Sequence, residues 1–215
     1  HVKHLAFEFK RSKIFEPATR MDVVEFVTEL CRHVNPPSNM ELLNILPYND
    51  PHTHHVVENL YNSGELDGIL YKCRNTLLCG YKSTSLFLND ENFPIFDYPK
   101  MTALWKLLCH NAKLMDLEIL DIELSEITRV ELKALASALE GKNLKDVNIL
   151  VPDSTIEMED GLIHILRVMK ESKNKDKEFT IARGKIFKEL WKELPSETIY
   201  YDHRGHNVTF YLPDN

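Results

Sequence analysis

Glycine is scarce in this chain, at 7 of 215 residues, and proline contributes only 10. So little of either excludes collagen-like and low-complexity sequence. Long apolar runs are missing too: none approaches the ~18 residues of a membrane-spanning helix, so no membrane partner is expected. The first ten residues, HVKHLAFEFK, are too charged to read as a signal peptide. Cysteine is limited to Cys31, Cys73, Cys79 and Cys109, and five residues separate Cys73 from Cys79, which matches no zinc spacing. Four such thiols do not demand disulfides, so the expectation is a reduced protein in the cytoplasm or nucleus. The sequon Asn207-Val208-Thr209 is the one feature that suits a secreted chain. Nucleotide and hydrolase signatures are absent as well: no G-x-x-x-x-G-K-[ST], no G-x-G-x-x-G, no H-E-x-x-H and no G-x-S-x-G. These gaps name no reaction and no cofactor, and the chain reads as a non-enzyme.

What is present is uneven charge. The net value is −7, yet residues 116–160 hold twelve Asp/Glu against four Lys/Arg, and residues 165–192 hold nine Lys/Arg against four Asp/Glu. A nucleic-acid binder needs one broad basic field, so this distribution argues against nucleic acid. The basic stretch KESKNKDKEF reads as a solvated loop.

Hydrophobic spacing repeats. Leu117, Leu120 and Ile122 have the pattern L-x-x-L-x-L, and a step of 27 residues lands on Leu144, Val147 and Ile149. The same step carries Leu135 to Leu162 and Leu139 to Leu166. The first half of each unit alternates like a strand. The second half predicts a helix, with Val130, Leu132, Leu135, Ala136 and Leu139 on one side and Gly141 at its C-terminal end. In the next unit Leu162, Ile165, Leu166 and Met169 form the corresponding stripe. Looser copies lie 31 residues upstream, at Leu86, Leu88, Leu104 and Leu108, and 32 downstream, at Phe179 and Ile181, ahead of the helix-like KIFKELWKEL. A hairpin around Arg204-Gly205 closes the chain. Near the start, HLAFEF and ELLNIL predict strands, MDVVEFVTELCRHV and HTHHVVENLY predict helices, and LDGILYKC and TLLCGYK have no readable period.

This arrangement resembles a leucine-rich repeat of the ribonuclease-inhibitor-like type. The residues that carry the resemblance are Leu117, Leu120, Ile122, Ile127, Leu132, Leu135 and Leu139, with their copies in 144–169. It implies an α/β solenoid with parallel strands on one face and helices on the other, as a single domain over 1–215. The clearest repeats then span 84–192, and the closing hairpin spans 196–212. A compact three-layer α/β sheet is the alternative. Two features depart from the family: its Asn after the strand is missing, with Ser125 and Pro152-Asp153 in that neighbourhood, and the spacings are irregular. The resemblance also implies a protein-interaction module. Such repeats serve as the substrate-reading part of ubiquitin ligase receptors such as F-box proteins, or as the sensing part of nucleotide-binding leucine-rich-repeat immune receptors. An F-box is not evident, since Leu46-Pro47 is a poor match to its opening.

In such a solenoid the motif leucines point inward and the residues between them line the open strand face. The expected partner-binding set is therefore Ile119, Asp121, Glu123, Asp146, Asn148, Leu150, Glu178 and Thr180, with Ala182 beside them and Ala6 and Glu8 near the start. Its acids suit a protein partner with a basic patch, and Ile119 and Leu150 are the expected apolar anchors. The oligomeric state is left open. The competing enzymatic expectation is a small α/β enzyme with a ligand site at the strand carboxyl ends, near Glu123–Ser125, Pro152–Ser154 and Arg183-Gly184. There Asp153 and Ser154 beside Arg183 would take a phosphate or a sugar. His52, His54 and His55 have a metal-like composition, as do Asp202, His203 and His206, but without a distant partner ligand they read as solvent-facing. Cys31 reads as a buried structural thiol, and Trp105 and Trp191 as core.

Overall fold

The computed structural model describes residues 2–6, 17–46, 51–78, 84–89, 98–123, 127–150, 158–182, 188–194, 199–201 and 207–212. Among them the elements run β1 (His4–Ala6), α1 (Pro17–His33), β2 (Leu42–Asn44), α2 (Pro51–Asn62), α3 (Leu66–Lys72), β3 (Ser85–Asn89), α4 (Tyr98–Leu114), β4 (Ile119–Glu123), α5 (Arg129–Leu139), β5 (Asp146–Leu150), α6 (Glu159–Glu171), β6 (Lys177–Ala182), α7 (Lys188–Glu193), β7 (Ile199–Tyr201) and β8 (Asn207–Leu212). The class is α/β with a mixed sheet. The chain divides into two compact units. The first holds His1–Lys82 and Ile95–Met115, and the second holds Ser83–Pro94 and Asp116–Asn215. The reason lies in the pairing, because β1 and β2 form a separate sheet from β3–β8.

In the first unit β1 and β2 are parallel, with Leu5 opposite Leu43, and Leu77 adds a parallel bridge to Leu42. Val24, Val27 and Cys31 recur at helical spacing on α1 and meet Val56, Val57 and Leu60 of α2 in one buried cluster. The unreadable LDGILYKC is α3, whose Leu66 and Ile69, with Cys73 just beyond, join that cluster. Seven residues of helix are too few to show a period, so packing rather than pattern sets this element. Asn111 of α4, fully buried, accepts from the Leu78 N–H at 2.9 Å and donates to the Leu107 carbonyl at 2.9 Å. It thereby pins the 76–78 segment to the helix.

In the second unit the sheet order is β3-β4-β5-β6-β8-β7. The first four strands lie side by side in chain order, all parallel, and β8 runs antiparallel to both β6 and β7. The segments at 117–122 and 144–149 are thus co-directional neighbours, with Leu120 opposite Val147 and Ile122 opposite Ile149. The 32-residue step also holds, with Val147 opposite Phe179. The 31-residue step does not, since Leu86 faces Leu120, an offset of 34. The closing hairpin forms with β8 inserted between β6 and β7, which its short loop would not reveal.

The helices α5 and α6, which join β4 to β5 and β5 to β6, pack against each other. The apolar side chains Leu86, Leu120, Ile122, Val147, Ile149, Phe179 and Ile181 are buried. Helix α5 begins with a capping box, in which the Thr128 N–H donates to Glu131 Oε2 at 2.8 Å and the Glu131 N–H donates to Thr128 Oγ1 at 3.2 Å. The helix is followed by Gly141, whose φ of 75° suits glycine. Leu132, Leu135, Ala136 and Leu139 are buried as the stripe predicts, but Val130 is 76% exposed. It sits in the first turn, before the buried face begins. Helices α5 and α6 approach closely at Gly161, where a Cβ would lie 2.5 Å from that of Leu132. Glu159, at the start of α6, turns its carboxylate to the N-terminus of α7, accepting from the Glu189 and Leu190 N–H groups at 2.6 and 2.7 Å. The basic run at 170–179 is not all solvated loop. Lys177 is fully buried in β6, and its Nζ donates to the Ser172 and Lys170 carbonyls at 3.3 and 3.4 Å, at the C-terminal end of α6.

Candidate functional site

Side chains alternate across each strand, so burying one face of the second unit's sheet leaves the other partly open. Register sorts that open face into rows. One row runs Ser85, Ile119, Asp146, Glu178, Tyr211, and the next runs Phe87, Asp121, Asn148, Thr180, Thr209. Glu123 stands beside Leu150 in a third. All eight residues expected from the spacing therefore share this face. Their exposure differs from the expectation: Glu123 is exposed, while the other seven are half-buried.

Half-burial alters the chemistry of the acids. The carboxyl of Asp121 is pushed above its ordinary value of 3.8 by burial, against a weaker opposing pull from the amide of Asn148, whose Nδ2 donates to Asp121 Oδ1 at 3.1 Å. Asp146 is raised as well, first by burial, then by the carboxylates of Glu178 and Asp121, with the Lys145 ammonium opposing. Asp146 and Glu178 stand directly opposite each other on neighbouring strands, where like charges repel. Asn148 spends its amide nitrogen on Asp121, and its shielded carbonyl oxygen accepts no hydrogen bond from the described residues. Thr180 and Thr209 share a hydrogen bond of 2.8 Å between their hydroxyls. The face thus carries three partly buried carboxylates beside a polar ladder of Asn148, Thr180 and Thr209.

The expected apolar anchors are not the exposed ones. Ile119 and Leu150 are half-buried among their neighbours, whereas Phe87 is 64% exposed and Tyr211 39% exposed on the same face. Both follow from alternation. Phe87 lies between Leu86 and Leu88 as Asp121 lies between Leu120 and Ile122, and Tyr211 lies between the buried Phe210 and Leu212. Ala6, on β1, is exposed. Glu8, Ser125, Pro152, Asp153, Ser154, Arg183 and Gly184, the side chain of Ala182, and the Asp202, His203 and His206 set lie outside the described residues, so the carboxyl-end ligand site is not displayed.

The remaining candidates resolve differently. His52, His54 and His55 all belong to α2, with His54 buried in the helix rather than displayed on a loop. Among the described residues no group of His, Cys, Asp and Glu is arranged to hold a metal ion. Cys31 and Cys73 are buried free thiols. Burial, chiefly, raises them to about 12 and about 11, which leaves no thiolate for nucleophilic chemistry at neutral pH. No helix among the described residues is long and apolar enough to cross a membrane. Compared with protein-family models, with curated proteins and with solved structures, the chain finds no match.

Proposed function

We propose that this chain is a protein-interaction module that binds a basic protein surface on the open face of its six-stranded sheet. One observation carries this: Asp146 lies directly opposite Glu178 with Asp121 close by, so three carboxylates crowd a half-buried face, with Lys145 the one cation among the described residues acting on Asp146. Facing like charges cost a sheet up to about 1 kcal/mol, and neutral polar residues there would not. A cationic partner converts that cost into attraction, speeds encounter and rejects acidic competitors. Such local conflicts concentrate at functional sites.

The parallel strands β3–β6, taken in chain order at steps of 34, 27 and 32 residues, support placing 84–192 in the leucine-rich-repeat class. In that class the open strand face is the binding face. The wider setting that follows is a substrate-reading part of a ubiquitin ligase receptor or the sensing part of an immune receptor, inside the cell. Affinity capture from a lysate with the wild-type chain and with Asp146→Lys/Glu178→Lys, followed by quantitative mass spectrometry, tests the proposal. Basic proteins retained by the wild type and lost by the variant, then rebound in purified form, support it. An identical set retained by both would sink it.

A further inference from the structure

Resting on that docking face, we infer that its occupant is a single protein segment with lysine or arginine at its centre and an apolar residue towards each end. The order of chemistry across the strands specifies this. Phe87 stands on β3 at one side, Tyr211 on β8 at the other, and Asp121, Asp146 and Glu178 occupy β4, β5 and β6 between them. Four strand spacings of about 4.8 Å put the two aromatic columns ~19 Å apart. A peptide of roughly six extended residues, or a helix of about thirteen, spans that distance.

The two kinds of group ask for different things. The aromatic rings, exposed at 64% and 39%, gain by being covered with apolar surface. Asp146, which stands directly opposite Glu178 and is repelled by it and by Asp121, gains from a cation. A broad polycation satisfies the centre and leaves both rings bare. A hydrophobic helix covers the rings and strands the acids. A segment carrying cations between apolar ends meets all of these demands together.

The test uses the full chain and fluorescence anisotropy with three probes. These are a labelled twelve-residue peptide with central lysines and a leucine or phenylalanine at each end, a shuffle of it with lysines outside and apolar residues inside, and spermine as competitor. The ordered peptide should bind at least tenfold more tightly than the shuffle, and spermine should displace it poorly. Phe87→Ser/Tyr211→Ser, which changes two exposed side chains, should weaken it at least tenfold with the melting temperature unmoved. Equal affinity for the ordered and shuffled peptides, or full displacement by spermine, overturns the inference. Binding that falls with Asp146→Lys/Glu178→Lys but ignores Phe87→Ser/Tyr211→Ser overturns the aromatic brackets while leaving the docking face standing. Binding indifferent to both pairs overturns the face as well.

Discussion

Replacing Asp146 by Asn should stabilise the protein, and the gain should depend on pH. Asp146 faces Glu178 across β5 and β6, and its carboxyl sits above the ordinary 3.8 through burial, Glu178 and Asp121. Because the folded state holds this proton more tightly than the unfolded state, stability falls as pH rises from below 3.8 through the raised folded value, and it stays reduced at neutral pH. Asparagine has nearly the same shape and no charge. Relieving one facing like-charge pair is worth about 0.2–1 kcal/mol. A chain of this size moves about 2–4 °C per kcal/mol, so the expected rise in melting temperature at pH 7 is ~0.5–4 °C. At pH 3, where Asp146 is protonated in both states, the gain should vanish. In 1 M salt, where the screening length is about 3 Å, it should shrink. Thermal melts of wild type and Asp146→Asn, followed by circular dichroism across pH 3–7, make the comparison. A lower melting temperature at pH 7, or the same gain at pH 3, would refute the account of this face as self-repelling.

Other consequences are simpler to read. Leu135, fully buried on α5, should cost about 2–5 kcal/mol when replaced by Ala, visible as a fall in the denaturant midpoint. Gly161→Ala forces a Cβ against Leu132, and overpacking of that kind costs about 1–3 kcal/mol. The loss should persist in a Leu132→Ala background in the same denaturation assay, because alanine keeps the Cβ that the new methyl meets at 2.5 Å. Cys31 and Cys73, raised by burial to about 12 and about 11, should resist a thiol reagent at pH 8 in the folded chain and react once it is unfolded. Thr128→Ala, which removes one half of the capping box, should lower stability by about 0.5–2 kcal/mol.

The 27-residue step was legible because β4 and β5 share one register and their helices share one stripe, so a single offset preserves both. The strand β3 was harder. Its register with β4 is 34 residues, whereas Leu104 and Leu108 precede Leu135 and Leu139 by 31, so no single offset covers both halves. Helix α3 was hidden by its length. The division into two units was hidden because strand pairing is a long-range fact: nothing local in β1 and β2 says that they join a different sheet from β4. The open face was found from the rule that the residues between motif leucines point outward, applied to β4, β5 and β6. Extending that rule to β3 reaches Phe87. Tyr211 is out of reach of it, since nothing local says that β8 slots beside β6 rather than at the sheet edge. Alternation also gives direction without depth, so Asp121 and Asp146 could be placed on the face but not recognised as half-buried and self-repelling.

Docking on the open face can be measured without changing a residue. Hydroxyl-radical footprinting of the chain, alone and with the partner recovered by wild-type capture, reads the solvent access of individual rings. Phe87 and Tyr211 should lose reactivity on binding, while Tyr71, 71% exposed on α3 of the other unit, should keep it. Protection at Tyr71 with Phe87 and Tyr211 unchanged would contradict the account.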